Sequence, residues 1–367
     1  MGCSRLVYNR ALAARTEAWY KEQKRVGYAE TSSLLTEWKK TEELDFLYDV
    51  SCVPLQQCLR HLQTAYNNFF DGRAKYPTFK KKRNGGSAEF TKSAFRYRDG
   101  KIYLAKCTEP LPIRWSRILP EGTTPSTVTV KLSASGRWSV SLLVDVQIEK
   151  LPRVESQIGI DLGITSLVTL SNGEKIANRK GFKAKYRKLR RVQKALSRKQ
   201  KGSNNRYKAR LLVAALHQEI PDARQDNFHK LTTRLVRENQ RIAMEDLAVK
   251  NLVKNQKLAR AISDASWGEL VRQLEYKCDW YGRTLVKIDR WFPSSKRCGN
   301  CGHIVEKMPL NIREWNCPQC ATHHGRDVNA AQNILAAGLA VKVCGATVRP
   351  QESKSRKAGA MKQKPKS

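Results

Sequence analysis

Ile158-Gly159-Ile160-Asp161-Leu162-Gly163-Ile164 is the stretch on which the reading of this chain turns. Taken with the period of two that a strand imposes, Ile158, Ile160 and Leu162 point to one face and Gly159, Asp161 and Gly163 to the other. The pattern predicts a strand with one buried apolar face, the opposite face carrying a lone carboxylate. No side chain stands two positions before or after that acid, so a metal ion and a phosphodiester would find room beside it. A plain strand ending in a polar turn has the same pattern, and the acid gains meaning only if other parts of the chain supply partners.

Two such partners are visible. Arg241-Ile242-Ala243-Met244-Glu245-Asp246-Leu247 reads as a short apolar strand ending in acids, and Gly325-Arg326-Asp327-Val328-Asn329-Ala330-Ala331 opens an alanine-rich helix. Val328, Ala331, Leu335 and Leu339 are its expected buried stripe. Asp327 falls at the cap or first turn, where free amides and the helix dipole favour a carboxylate. Asp161, Glu245 and Asp327 thus end or begin core elements in the order strand, strand, helix, the arrangement of an RNase H-like nuclease. Clustered carboxylates repel one another unless cations neutralise them, and oxygen ligands select Mg²⁺ or Mn²⁺. Two such ions suit hydrolysis of a phosphodiester, one activating water and the other stabilising the leaving 3′ oxygen.

Cysteine spacing carries the most specific single signal. Cys298-x2-Cys301 and Cys317-x2-Cys320, fifteen residues apart, match a four-thiolate ribbon holding one structural Zn²⁺, each pair on a tight turn. Four thiolates complete a tetrahedron, so His303, His323 and His324 are left outside the shell. The remaining six of ten cysteines are scattered, which suits a reducing compartment, the cytoplasm being the simplest.

Charge defines the partner. The 367 residues carry 69 Lys and Arg against 33 acids, a formal +36, which internal pairing cannot neutralise. A polyanion is expected, and no apolar run is long enough for a membrane span. Between Glu174 and Glu219 there is no acid at all. Phe182, Tyr186, Leu189, Val192 and Leu196 form a thin apolar stripe there, the remainder being cationic, as in a phosphate-lined channel. A further helix is expected from Phe228 to Asn239. The tail from Arg349 to Ser367 reads as disordered and basic.

Residues 1–73 read as helices, with Leu55, Leu59, Leu62, Tyr66 and Phe69 on one face of the segment from Ser51 to Asp71. Lys75-Tyr76-Pro77-Thr78-Phe79-Lys80-Lys81-Lys82-Arg83 interleaves bases with aromatics, suiting phosphate contact with stacking or a charged linker. Alternation from Thr127 to Val146 around a turn at Ser133–Gly136 predicts a hairpin, and a small barrel or sandwich fits residues 76–150. A second hairpin is expected from Ile158 to Lys175, turning at Ser171-Asn172-Gly173.

Taken together, the chain resembles the TnpB family, the transposon-encoded relatives of type V CRISPR effectors. Ile158–Gly163, Ile242–Leu247, the cysteine pairs after Phe292-Pro293-Ser294-Ser295-Lys296, and Arg326–Ala331 look like the three RuvC motifs and the zinc ribbon. Gly2-Cys3-Ser4-Arg5-Leu6-Val7-Tyr8-Asn9 and Leu55-Gln56-Gln57 look like the N-terminal helical region. The resemblance implies an α+β multidomain protein: a helical recognition domain over 1–75, a β-barrel wedge domain over 76–153, and a RuvC nuclease domain over 154–293 with a basic helical insert at about 178–240. A zinc ribbon over 294–323, a final RuvC helix over 324–346 and a basic tail over 347–367 complete it. It also implies a guide RNA from the transposon end, a double-stranded DNA target beside a short adjacent motif, and catalytic Mg²⁺ ligands at Asp161, Glu245 and Asp327. The chain is expected to act as a monomer at the nucleoid.

Nucleic-acid contacts are expected at Gln56, Gln57, Lys75, Lys80, Lys81, Thr91, Lys92, Lys183, Arg187, Arg190 and Arg191. Two departures stand out: family members usually carry a further stretch before the Gly-Cys-Ser-Arg segment, supplying a first strand to the wedge barrel, and many have an acid where Gly325 stands. The alternatives are a zinc-ribbon nucleic-acid-binding protein with an idle RNase H-like core, or a guide-independent junction resolvase. A guide-dependent binder that no longer cuts is a nearer relative of the main reading, but it should have lost an acid, and all three are present. The resolvase leaves the long N-terminal helical region unexplained.

Overall fold

The computed structural model describes residues 1–178, 181–256, 258–309 and 311–343, with the side chains of 181–184, 250 and 341–343 left out. Two compact units are present, one from residues 1–147 with 181–223, the other from 148–180 with 224 onward.

In the first unit, α1 (Gly2–Glu22), α2 (Tyr28–Lys40) and α3 (Cys52–Phe70) surround one core. The expected face of α3 is buried at Leu55, Leu59, Leu62 and Tyr66, with Phe69 half-buried. Pro54 sits in the first turn of α3, where its missing N–H costs nothing. Strands β1 (Gly86–Thr91), β2 (Phe95–Arg98), β3 (Lys101–Leu104), β4 (Thr127–Leu132) and β5 (Trp138–Leu143) form a three-stranded sheet, β1-β4-β5, and a β2-β3 hairpin over a shared core. The β4–β5 hairpin pairs Val128 with Leu142 and Val130 with Val140, as alternation requires. Alternation ends earlier than expected: β5 stops at Leu143, and Trp138 is exposed.

The second unit is built on a five-stranded sheet in the order β10-β9-β6-β7-β8. Its strands are β6 (Gln157–Leu162), β7 (Ser166–Leu170), β8 (Lys175–Ala177), β9 (Arg241–Glu245) and β10 (Thr284–Ile288). β6, β9 and β10 are parallel, while β7 is antiparallel to both neighbours. The single hairpin expected from Ile158 to Lys175 is therefore a three-stranded meander. Its first turn lies near Gly163, and Ser171–Gly173 forms the second.

Helices α4 (Gly181–Ser197) and α5 (Asn204–Glu238) follow β8. The stripe on α4 packs Leu189, with Tyr186 and Val192, against Leu216 and Ile220 of α5. α5 is one 35-residue helix that includes Pro221, where the sequence pattern marked only residues 228–239. Its apolar residues change face midway: Leu216 and Ile220 meet α4, while Phe228, Leu231, Leu235 and Val236 enter the sheet core. No single periodic stripe therefore runs its length.

Short helices α6 (Val249–Leu252) and α7 (Ala259–Ala265) precede α8 (Trp267–Tyr281), which covers one face of the sheet with Leu270 and Leu274. Buried Lys277 of α8 donates to His229 O and the Thr232 and Thr233 hydroxyls. Arg283 donates to Val236 O, Pro152 O and Gln240 Oε1. These two cations serve the fold and not a polyanion. β11 (Glu314–Asn316) pairs with β12 (His323–Gly325), and α9 (Arg326–Val343) runs across the other face of the sheet. The basic tail expected over 347–367 lies outside the described residues. No helix among the described residues is long and apolar enough to cross a membrane.

Candidate active site and cysteine cluster

β6 and β9 are in parallel register with Ile160 opposite Met244. The residues that follow, Asp161 and Glu245, leave the carboxyl ends of adjacent strands side by side on one face, at a strand spacing of about 4.8 Å. That face is the one α9 covers. A Cβ on Gly159 would fall 2.1 Å from Ala331 O, and one on Gly338 would fall 2.6 Å from Ala243 Cβ. Gly159 therefore admits a helix, and not the ion and phosphodiester that the sequence reading placed beside it. Gly163, similarly, is close to its own turn, with a Cβ there 2.7 Å from Ser166 O. Both faces of β6 are covered, and only the strand end is open to ligands.

Asp327 lies in the first turn of α9, one helical turn before Ala331. Its negative charge reaches Asp161, as does that of Glu245. Burial first, then these two neighbours, push the Asp161 carboxyl up to about 7, against a smaller opposing pull from Arg326. Burial also pushes Glu245 up, opposed by a hydrogen bond from the Ser294 hydroxyl. Asp246, beside it, turns the other way and pairs with Arg290 at 3.0 Å. The nearest cation to Asp327 is the exposed Arg313, 3.6 Å from Oδ1. Among the described residues the one group of ligand atoms close enough to hold a metal is the cysteine set, while Asp161, Glu245 and Asp327 are linked by charge, an oxygen-ligand set that a hard divalent cation would suit.

The four cysteine sulfurs lie within 4.8 Å of one another. Cys298–Cys320 and Cys301–Cys317 are each 3.6 Å apart, close to the roughly 3.8 Å edge of a tetrahedron with 2.3 Å Zn–S bonds. Thr322's hydroxyl and backbone lower the Cys320 thiol, whereas that of Cys301, despite a backbone hydrogen bond at His303, is raised to about 12 by burial and its three neighbouring sulfurs. His324 stays outside the four: its Nε2 lies 3.0 Å from Cys298 Sγ and its ring packs on Trp315. The set can hold one structural zinc with no coordination position left for chemistry.

The expected nucleic-acid residues meet different fates. Gln56, Lys75, Lys81, Lys92, Arg187, Arg190 and Arg191 are exposed, while Gln57 and Thr91 are half-buried. Lys80 is already engaged, its ammonium 3.8 Å from the Tyr8 ring centroid and its N–H donating to Asn9 Oδ1. Tyr76 of the same stretch meets Tyr66 and Phe69 edge-on yet stays exposed, as does Phe79. Lys183 lies outside the described side chains.

Sequence reading missed two features. One is a cavity of about 950 Å³ lined by Arg83, Lys131, Arg206 and Arg210 together with Tyr207 and His217, with no acid in its wall. Its cations are scattered over 128 positions, so no local run announces it. The other is the buried polar pair of α9: of the expected stripe Ala331 is buried and Val328, Leu335 and Leu339 half-buried, and the helix buries Asn329 and Asn333 beside Ala330 and Ile334. Two asparagines one turn apart among alanines and leucines were the available signal.

Comparison with known proteins follows the same geography. Residues 139–256 match a family model described as "Probable transposase", and residues 267–334 one described as "Cas12f1-like, TNB domain". A "Putative RNA-guided DNA endonuclease" of Streptomyces pristinaespiralis is 61% identical over 97% of this chain and 88% of its own length. The "Putative RNA-guided DNA endonuclease InsQ" of Escherichia coli K12 is 34% identical over 95% of this chain and 90% of its own length. In fold, the chain is similar to the protein of a cryo-EM Cas12f1–sgRNA–target DNA complex: TM-score 0.52 over 90% of this chain and 80% of that one, at 16% identity. With the acids, the cysteine cluster and near full-length identity in agreement, the chain belongs to the TnpB/OrfB_IS605 family of transposon-encoded proteins.

Proposed function

We propose that the chain is an RNA-guided DNA endonuclease that cuts double-stranded DNA beside a short adjacent motif, with one two-cation RuvC site formed by Asp161, Glu245 and Asp327. The observation that carries this is the Asp161 carboxyl at the end of β6, pushed up to about 7 by burial first and then by the charges of Glu245 and Asp327. The sheet order, with two parallel strands beside a three-stranded antiparallel meander, supports an RNase H-like core. The names borne by relatives that match nearly the whole chain point the same way.

In this reading the three carboxylates bind and space two Mg²⁺ ions, with Mn²⁺ as a substitute. When bound, such ions activate water and stabilise the leaving 3′ oxygen of an in-line displacement. α8 and α9 cover the sheet and confine water to the strand ends. Zn²⁺ on the four cysteines keeps the 294–323 segment folded. Guide–target pairing supplies sequence choice, so the protein contributes cationic surface and a small reading face. Exposed Arg187, Arg190 and Arg191 and the cavity cations Lys131 and Arg210 would meet RNA phosphates. The helical 1–75 and strand-rich 76–153 segments would grip the RNA and read the adjacent motif, with 154–293 and 324–346 as the nuclease.

The test is cleavage by purified protein with its co-purified RNA, a matched duplex and Mg²⁺. Asp161→Ala should abolish cutting while retaining duplex binding, and undiminished cutting by that variant would refute the assignment.

A further inference from the structure

Glu245 is held from outside the sheet. Its Oε1 accepts a hydrogen bond from the hydroxyl of Ser294, a residue 49 positions away on the loop leading to the first cysteine pair. Ser294 is only 6% exposed. It is fixed in turn by α9: Asn333 Nδ2 donates to Ser294 O at 2.8 Å and to Arg297 O at 2.7 Å. Asn329 Nδ2 also donates to Arg297 O, at 2.7 Å, and its Oδ1 accepts from Gly299 N at 2.9 Å. Both amides are almost fully buried, at 1% and 4% exposure, a placement that is costly unless their polar atoms are satisfied. All of their partners here are main-chain groups, so the asparagines specify the path of the 294–299 loop and not its side chains.

One helix thus does two things. Its first turn contributes Asp327 to the carboxylate cluster, and its next two turns hold the loop whose serine holds Glu245. We propose that Ser294 is a positioning residue for Glu245. The hydroxyl occupies Oε1 and orients the carboxylate so that Oε2 is presented to a divalent cation shared with Asp161 and Asp327. Asn329 and Asn333 keep Ser294 in register with the cysteine knuckle. This rests on the cation-site reading above and adds a residue to it that contacts neither nucleic acid nor ion. Carboxylate ligands are ordinarily oriented by such hydrogen bonds, and removing one lowers metal affinity about 10–100-fold.

The experiment is direct Mn²⁺ binding to the zinc-loaded protein, followed by electron paramagnetic resonance, for wild type, Asp161→Ala, Ser294→Ala and Ser294→Thr, with zinc content and Tm measured in parallel. Ser294→Ala should weaken Mn²⁺ binding about 10–100-fold with zinc at one per chain, and Ser294→Thr, which keeps the hydroxyl, should restore it. The Mg²⁺ concentration for half-maximal cleavage should rise in step, with cutting recovered at high Mg²⁺. If Asp161→Ala loses Mn²⁺ but Ser294→Ala binds as wild type does, the positioning role is wrong and the cation site stands. If Asp161→Ala also binds normally, both fall. Weakening in Ser294→Thr equal to that in Ser294→Ala would likewise overturn the role of the hydroxyl.

Discussion

Replacing Asp161 by asparagine keeps the shape of the side chain and removes its charge. The carboxyl rises from an ordinary 3.8 to about 7 in the folded protein, through burial and then Glu245 and Asp327. A shift of about 3 units corresponds to ~4 kcal/mol of destabilisation once the group is ionised. Burying the amide in its place costs part of that, so the expected gain for Asp161→Asn at pH 8 is about 2–4 kcal/mol. The sign follows from proton uptake. Between about pH 4 and 7 the native state keeps a proton that the unfolded chain has lost, so wild-type stability falls as pH rises through this window and levels off above it. The asparagine variant lacks that slope. Thermal or urea unfolding of zinc-loaded, Mg²⁺-free protein from pH 5 to 8 should show the variant's advantage growing by about 2–3 kcal/mol. Saturating Mn²⁺ should then stabilise wild type and leave the variant unmoved. An advantage constant with pH, or a variant less stable than wild type at pH 8, would refute the account of an uncompensated carboxylate cluster. The variant should be inactive throughout: more stable and catalytically dead.

Metal analysis should find one zinc per chain, lost in Cys317→Ser, and Co²⁺ replacement should give the absorption of a tetrahedral thiolate site. Gly159→Ala places a methyl 2.1 Å from Ala331 O and 2.8 Å from Leu335 Cβ; it should cost more than about 3 kcal/mol in denaturation. Gly325→Ala, with nothing within 4 Å of the added atom, should stay within about 0.5 kcal/mol of wild type. Lys131→Ala and Arg210→Ala should each reduce the slope of log K against log[salt] for RNA binding by about 0.7–1. Unchanged slopes would remove the cavity from the RNA path.

Much of the candidate site was legible because its residues mark local structure as well as chemistry. Asp161 and Glu245 end apolar strands, Asp327 starts a helix, and cysteine pairs need tight turns, so each shows in a window of a few residues. Glu245 could be picked over Asp246 by motif match alone; the physical reason, that Asp246 faces outward to Arg290, needed coordinates. The glycines of β6 were visible but misread, since an approaching helix and an approaching ligand both call for a missing side chain. The unbroken α5 was hidden because its apolar residues serve two different cores in succession.

By itself, the sequence marked most of the elements, the need for a polyanion, the four-cysteine set and three candidate acids, because periodicity, net charge and ligand spacing are properties of the chain. Tertiary structure decided which of these meet. The register that sets Asp161 beside Glu245, the helix laid on Gly159, and the Ser294 hydroxyl on Glu245 all depend on contacts between residues tens to hundreds of positions apart. Such contacts are selected by how surfaces pack in space, and no local pattern along the chain encodes them.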